Sequence, residues 1–164
     1  MRRVTGAAVV GLVLLAAGCS ADEKPAPTGS SAAPAFSPGA DGIGDPYFPK
    51  YGNGGYDVAG YALDLRYEPG DGRLAGSATI TATATQDLSR LNLDLAGLTA
   101  SKVTVDGAAA THKADGAELV VTPAGGVPRG RRFTVVVDYS GAPGAVGSDV
   151  LGQGGWRRTP DGAV

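Results

Sequence analysis

Ala78-Thr79-Ile80-Thr81-Ala82-Thr83-Ala84-Thr85 alternates threonine with apolar residues, and this period of two decides the fold class. Threonine is β-branched, so placing it at every second position suits a pleated strand with one face in water. Upstream, Tyr61, Leu63, Leu65 and Tyr67 alternate with Ala62, Asp64 and Arg66, which predicts an apolar face pointing inward. Pro69-Gly70-Asp71-Gly72 turns the chain between the two runs. Downstream, Leu91, Leu93 and Leu95 keep the period until Gly97. Val103 and Val105 lead into Asp106-Gly107, a hairpin signal, and a weaker run at Thr111 to Lys113 leads into a second one at Asp115-Gly116. Leu119 to Thr122 follows, then a loop carrying Pro128, Arg129, Gly130, Arg131 and Arg132, then a last strand from Phe133 to Tyr139. About seven short strands with regular turn signals and no helical period predict an all-β fold, an antiparallel β-sandwich or saddle-shaped sheet.

The N-terminus speaks to compartment rather than fold. Arg2 and Arg3 precede an uncharged, largely apolar run from Ala7 to Ala17, the layout of a secretory signal. As a helix that run is about 16 Å long, roughly half a bilayer core and too short for a permanent span. Leu15-Ala16-Ala17-Gly18-Cys19 resembles a bacterial lipobox, although Ala16 stands where that pattern prefers a large aliphatic residue. Residues 1–18 are therefore expected to be a lipoprotein signal peptide, with Cys19 the site of lipid attachment. Cys19 is the only cysteine, so no intramolecular disulfide can form. Residues 19–44, rich in Ala, Pro, Ser and Gly, are expected to be a disordered tether, because such a segment cannot offset its ordering entropy. The expected location is exported and lipid-anchored, on the extracytoplasmic face of the cell membrane.

Residues 45–164 are enough for one small core. Loss of Arg2 and Arg3 with the signal would reduce the 14 basic side chains to 12, against 16 acidic ones. With no basic patch interleaved with aromatics, nucleic acid is excluded as an expected partner.

An ordered set of short patterns runs through the strand block. It comprises Tyr56-Asp57-Val58, Tyr61-Ala62-Leu63-Asp64-Leu65, Leu74-x-Gly76 with Ile80, Leu91-x-Leu93-Asp94-Leu95-x-Gly97-Leu98, Val103-x-Val105-Asp106-Gly107 and Phe133-x-Val135-x-Val137-x-Tyr139-Ser140-Gly141. In this order and spacing they resemble the N-terminal domain of the aminopeptidase N family of zinc metallopeptidases, over about Asp45 to Trp156. The resemblance implies a β-sheet saddle packed on a helical catalytic domain, zinc as the cofactor of the complete enzyme, and peptides as substrates. It also implies a Gln or Glu near the end of this domain that holds the substrate's free amine. Gln153 is the one nearby candidate and reads as a loop residue.

That family's zinc site is a His-Glu-x-x-His helix with a further glutamate, and a chain with one histidine does not supply it. His112 lies between two Asp-Gly turns and reads as an exposed loop side chain. No catalytic residue, metal ligand or cofactor is therefore expected in this chain. Asp41, Asp71, Asp106, Asp115 and Asp161 each precede glycine and read as turn residues. Trp156 and Arg157 are candidates for an interdomain contact, since an indole near the chain end needs a covering surface; by the resemblance, a catalytic domain of the same polypeptide provides it. Two functions follow: the non-catalytic N-terminal domain of a membrane-anchored zinc aminopeptidase, inactive alone, or a stand-alone lipoprotein β-sandwich binding module.

Overall fold

Two mostly antiparallel layers enclose the apolar faces of the alternating strands in the computed structural model, which describes residues 35–49, 51–148, 152–159 and 161–164. The expected signal peptide and Cys19, the expected site of lipid attachment, lie outside the described residues. The elements in chain order are β1 (Ser37–Pro38), β2 (Tyr56–Glu68), β3 (Arg73–Ala84), β4 (Leu88–Asp94), β5 (Leu98–Val105), β6 (Ala108–Ala109) and β7 (Thr111–Asp115). They continue with β8 (Glu118–Thr122), β9 (Arg132–Gly141), β10 (Ala145–Ser148), β11 (Gly152–Gly155), β12 (Arg158–Thr159) and β13 (Gly162–Ala163). There is no helix among the described residues.

The larger sheet has the order β2-β3-β9-β5-β6 and the smaller β1-β4-β8-β7, while β10-β11 and β12-β13 form separate ribbons. The core lies between the two main sheets. Ile80, Ala82, Val103, Phe133 and Val135 come from the larger, and Leu91, Leu93, Leu119 and Val121 from the smaller. The threonines of β3 behave as the alternation requires: Thr79, Thr81 and Thr83 are half-buried on the other face while Ile80, Ala82 and Ala84 are buried. Asp106-Gly107 closes the β5–β6 hairpin with both residues at positive φ, 51° and 79°, as a tight two-residue turn demands. Arg131 Nη2 donates to Asp106 Oδ2 and the Thr134 amide to Asp106 Oδ1, each at 2.9 Å, which pins that turn to β9.

Leu74-x-Gly76 has a steric basis. A Cβ at Gly76 would lie 2.5 Å from the Asp64 carbonyl oxygen, so only glycine lets β2 and β3 approach as they do there.

Three expectations need correction. The expected tether reaches Gly44, yet Ser37–Pro38 already pair with β4, in parallel. The Ser37 amide donates to the Asp87 carbonyl at 2.8 Å and the Gly39 amide to that of Arg90 at 2.9 Å, so ordered structure begins before residue 45. His112 lies not on a loop but in β7, half-buried, with Nε2 3.4 Å from the Ala100 carbonyl oxygen. The third concerns β2. Its apolar row does face the core side, Tyr61 opposite Ile80 and Leu63 opposite Ala78, but Tyr61, Leu63 and Leu65 stay 61%, 58% and 49% exposed. β2 lies at the edge of the larger sheet among the described residues, where its apolar row is left partly open to solvent.

Candidate functional site

The unclosed side of the sandwich is a trough of about 340 Å³. Tyr61, Leu63 and Leu65 of β2 form one wall, Ile80 and Val137 lie deeper, and Leu119 contributes from the smaller sheet. Its polar end holds Asn53, Tyr56 and Asp94. The Tyr56 hydroxyl donates to the Asn92 carbonyl oxygen at 2.6 Å, and its ring meets Phe133 edge-on at 6.3 Å. Burial, with the neighbouring Tyr61, Asp94 and Glu118, pushes its phenol well above the ordinary tyrosine range, so it stays a neutral donor. Asn53 Nδ2 donates to Asp94 Oδ2 at 3.1 Å.

Asp94 stands directly across the β4–β8 ladder from Glu118, which in turn stands across from Asp115 of β7. Asp94 and Glu118 are like charges facing across the ladder, whereas Asp115 is paired with Lys113 Nζ at 3.4 Å. Burial, then the Asp94 carboxylate, raises the Glu118 carboxyl above its ordinary value, with Asp41 adding to the effect. On the outer face of the same sheet, Asn92 is 6% exposed and its Oδ1 has no partner; it lines a polar recess with Arg90, Lys113 and Asp115. Asp94 and Glu118 were not legible as a group, because they are far apart in sequence and meet only through strand register. Among the described residues no three His, Cys, Asp or Glu side chains are placed to hold a metal ion.

The remaining candidates are placed as follows. Trp156 is half-buried and packs edge-on against Tyr67 at 5.1 Å. Arg157 is exposed; its amide donates to the Val164 carbonyl at 2.6 Å, and its carbonyl accepts from the Val164 amide at 2.8 Å. Arg158 Nη2 donates to the carbonyls of Pro69 (2.8 Å) and Gly70, clamping the β2–β3 turn. Gln153, expected on a loop, is in β11 opposite Gly147. The Asp-Gly aspartates act as turn residues where their bonds are seen: Asp71 Oδ1 accepts from the Arg73 amide at 3.0 Å, and Asp161 Oδ1 from the Thr159 hydroxyl at 3.2 Å. Of the basic run expected on a loop, Arg129 is an exposed loop residue, Arg131 pairs with Asp106, and Arg132 is exposed but belongs to β9, opposite Thr83.

No family profile matches the chain, and no curated protein sequence does. Solved structures do. A two-domain M1 zinc metallopeptidase mutant bound to L-arginine superposes with a TM-score of 0.65 at 30% identity, over 72% of this chain and 28% of that one. The fold is that of the N-terminal part of M1 zinc metallopeptidases. The enzyme from Deinococcus radiodurans matches with a TM-score of 0.64 at 30% identity, covering 71% of this chain and 27% of its own. A mutant of it bound to a Tyr-Ser-Ala substrate matches at 29% identity with the same TM-score, over 72% and 27%. This chain thus spans little more than a quarter of the length of the structures it resembles.

Proposed function

We propose that this chain is the N-terminal, non-catalytic domain of a zinc metallo-aminopeptidase held on the outer face of the cytoplasmic membrane through a lipidated Cys19. The observation that carries it is the match to the N-terminal part of M1 zinc metallopeptidases, at 30% identity over 72% of the chain. The Tyr-Ser-Ala substrate bound by the Deinococcus mutant supports peptides as the substrate class. Membrane anchoring is supported by the sequence alone: the Arg2-Arg3 start, the short apolar run and Gly18-Cys19.

The chain's own residues do not fit a zinc site. It has one histidine, and that imidazole lies in β7 against the Ala100 carbonyl. No chemical step is therefore assigned to any of its residues, and its part in the enzyme is a rigid β-surface beside the catalytic portion. Zinc, when bound in that portion, would activate the water that attacks the first peptide bond. Reading the gene downstream of Val164 tests the proposal. An open frame reaching His-Glu-x-x-His and a further glutamate supports it, and a stop codon directly after Val164 would overturn it.

A further inference from the structure

Two side chains of the smaller sheet are buried although they point away from the core. Leu91, Leu93, Leu119 and Val121 pack inward, so the residues between them on β4 and β8, Asn92 and Val120, face outward. Register sets Asn92 directly across from Val120, and Val120 across from Lys113 of β7. Asn92 is 6% and Val120 8% exposed, and together they floor a recess of about 280 Å³ that residues 39–41 wall on one side. Two acceptor oxygens on this lining, Asn92 Oδ1 and Glu118 Oε2, are buried without a hydrogen-bond partner. Buried acceptors left unmade are costly, and a ligand that donates to both removes that cost.

The charges around the floor are sorted by end. Glu118 and Asp115 face each other one step along the strands, and Asp41 adds its negative charge to Glu118. Arg90 lies two residues from Asn92 in the other direction along β4. Lys113 is paired with Asp115 at 3.4 Å, whereas Arg90 makes no ion pair among the described residues. We propose that this recess binds a small zwitterion of dipeptide size, its ammonium held by Asn92 Oδ1 and Glu118 and its carboxylate by Arg90. Two residues of strand put the two ends about 6.6 Å apart, which matches the charges of an extended dipeptide and exceeds those of a free amino acid. A bare metal ion fits poorly, because Arg90 and Lys113 share the lining and no three described carboxylate, thiol or imidazole groups are placed to hold one. A bare anion would meet Asp41, Asp115 and Glu118.

Titration of the isotope-labelled 164-residue chain with glycylglycine, followed by NMR at the Asn92 side-chain amide, tests this. The amide resonance should shift saturably. N-acetylglycylglycine lacks the ammonium and glycylglycinamide lacks the carboxylate, and each should bind at least about tenfold more weakly, the loss of one charge-assisted contact. Arg90→Gln should weaken glycylglycine at least about tenfold and leave glycylglycinamide unchanged, a pattern that a general loss of structure would not give. Glu118→Gln should weaken both. An unmoved Asn92 amide would overturn the inference, as would equal binding of the acetylated or amidated peptide. A larger shift with calcium chloride alone would overturn it too, by making the recess a cation site.

Discussion

Replacing Leu63 and Leu91 in turn by alanine distinguishes uncovered from covered apolar surface in the 164-residue chain. Leu63 is 58% exposed on the core side of an edge strand, and Leu91 is 0% exposed between the two sheets. Full burial of a leucine side chain is worth roughly 1.5–3 kcal/mol; Leu63 realises a little under half of that, so Leu63→Ala should cost at most about 0.6–1.3 kcal/mol. Leu91→Ala removes the same atoms from a closed core and leaves a cavity, for a loss of about 2–5 kcal/mol. Urea denaturation followed through the fluorescence of Trp156, the only tryptophan, reads both. With a slope of about 1–3 kcal/mol per molar urea, the Leu91 variant should lose several times more midpoint than the Leu63 variant. Equal losses would mean that Leu63 is buried in solution, and would refute the open trough.

Three further outcomes are expected. Gly76→Ala should cost about 1–3 kcal/mol in the same assay, because its Cβ would meet the Asp64 carbonyl at 2.5 Å and force β2 and β3 apart; an unchanged midpoint would count against that close approach. Glu118→Gln should stabilise the domain at neutral pH by about 0.2–1 kcal/mol, the scale of like charges facing across strands. The sign follows from its raised carboxyl: between the unfolded and native pKa values the native state holds the extra proton, so wild-type stability falls as pH rises through that window. The advantage of the variant should therefore shrink in melts run below about pH 4, and an advantage that grows there would contradict the assignment. Finally, Cys19→Ala should move the protein from the membrane pellet to the soluble fraction, and unchanged retention would argue against a lipid anchor.

The long strands β2, β3, β4 and β9 were legible because each carries a period of two over much of its length and most are bounded by Gly, Pro or Asp-Gly signals, which are local properties of the chain. Alternation says which side a residue faces, not whether another layer lies above it. That is why Leu63 was correctly oriented and its burial misjudged. Ser37–Pro38 escaped notice for a related reason. A two-residue strand has no period, and its pairing with Leu88 and Arg90 depends on distant parts of the chain meeting. Phe36 follows suit, its ring lying against Gly126 in the loop before β9. The carboxyl row of Asp94, Glu118 and Asp115 likewise exists only in the register of β4, β8 and β7, and no spacing in the sequence announces it. His112 looked like a loop residue because β7 is short and polar, and its strand character comes from pairing with Val121.

The central claim, that this β-domain is the non-catalytic N-terminal part of a zinc aminopeptidase, is tested most directly by assaying aminoacyl-anilide hydrolysis with added zinc. The assay compares the purified 164-residue chain with the product translated past Val164. The prediction is no hydrolysis by the shorter chain and chelator-sensitive hydrolysis by the longer one. Hydrolysis by the 164-residue chain itself, or an inert longer product that folds and binds no zinc, would contradict it.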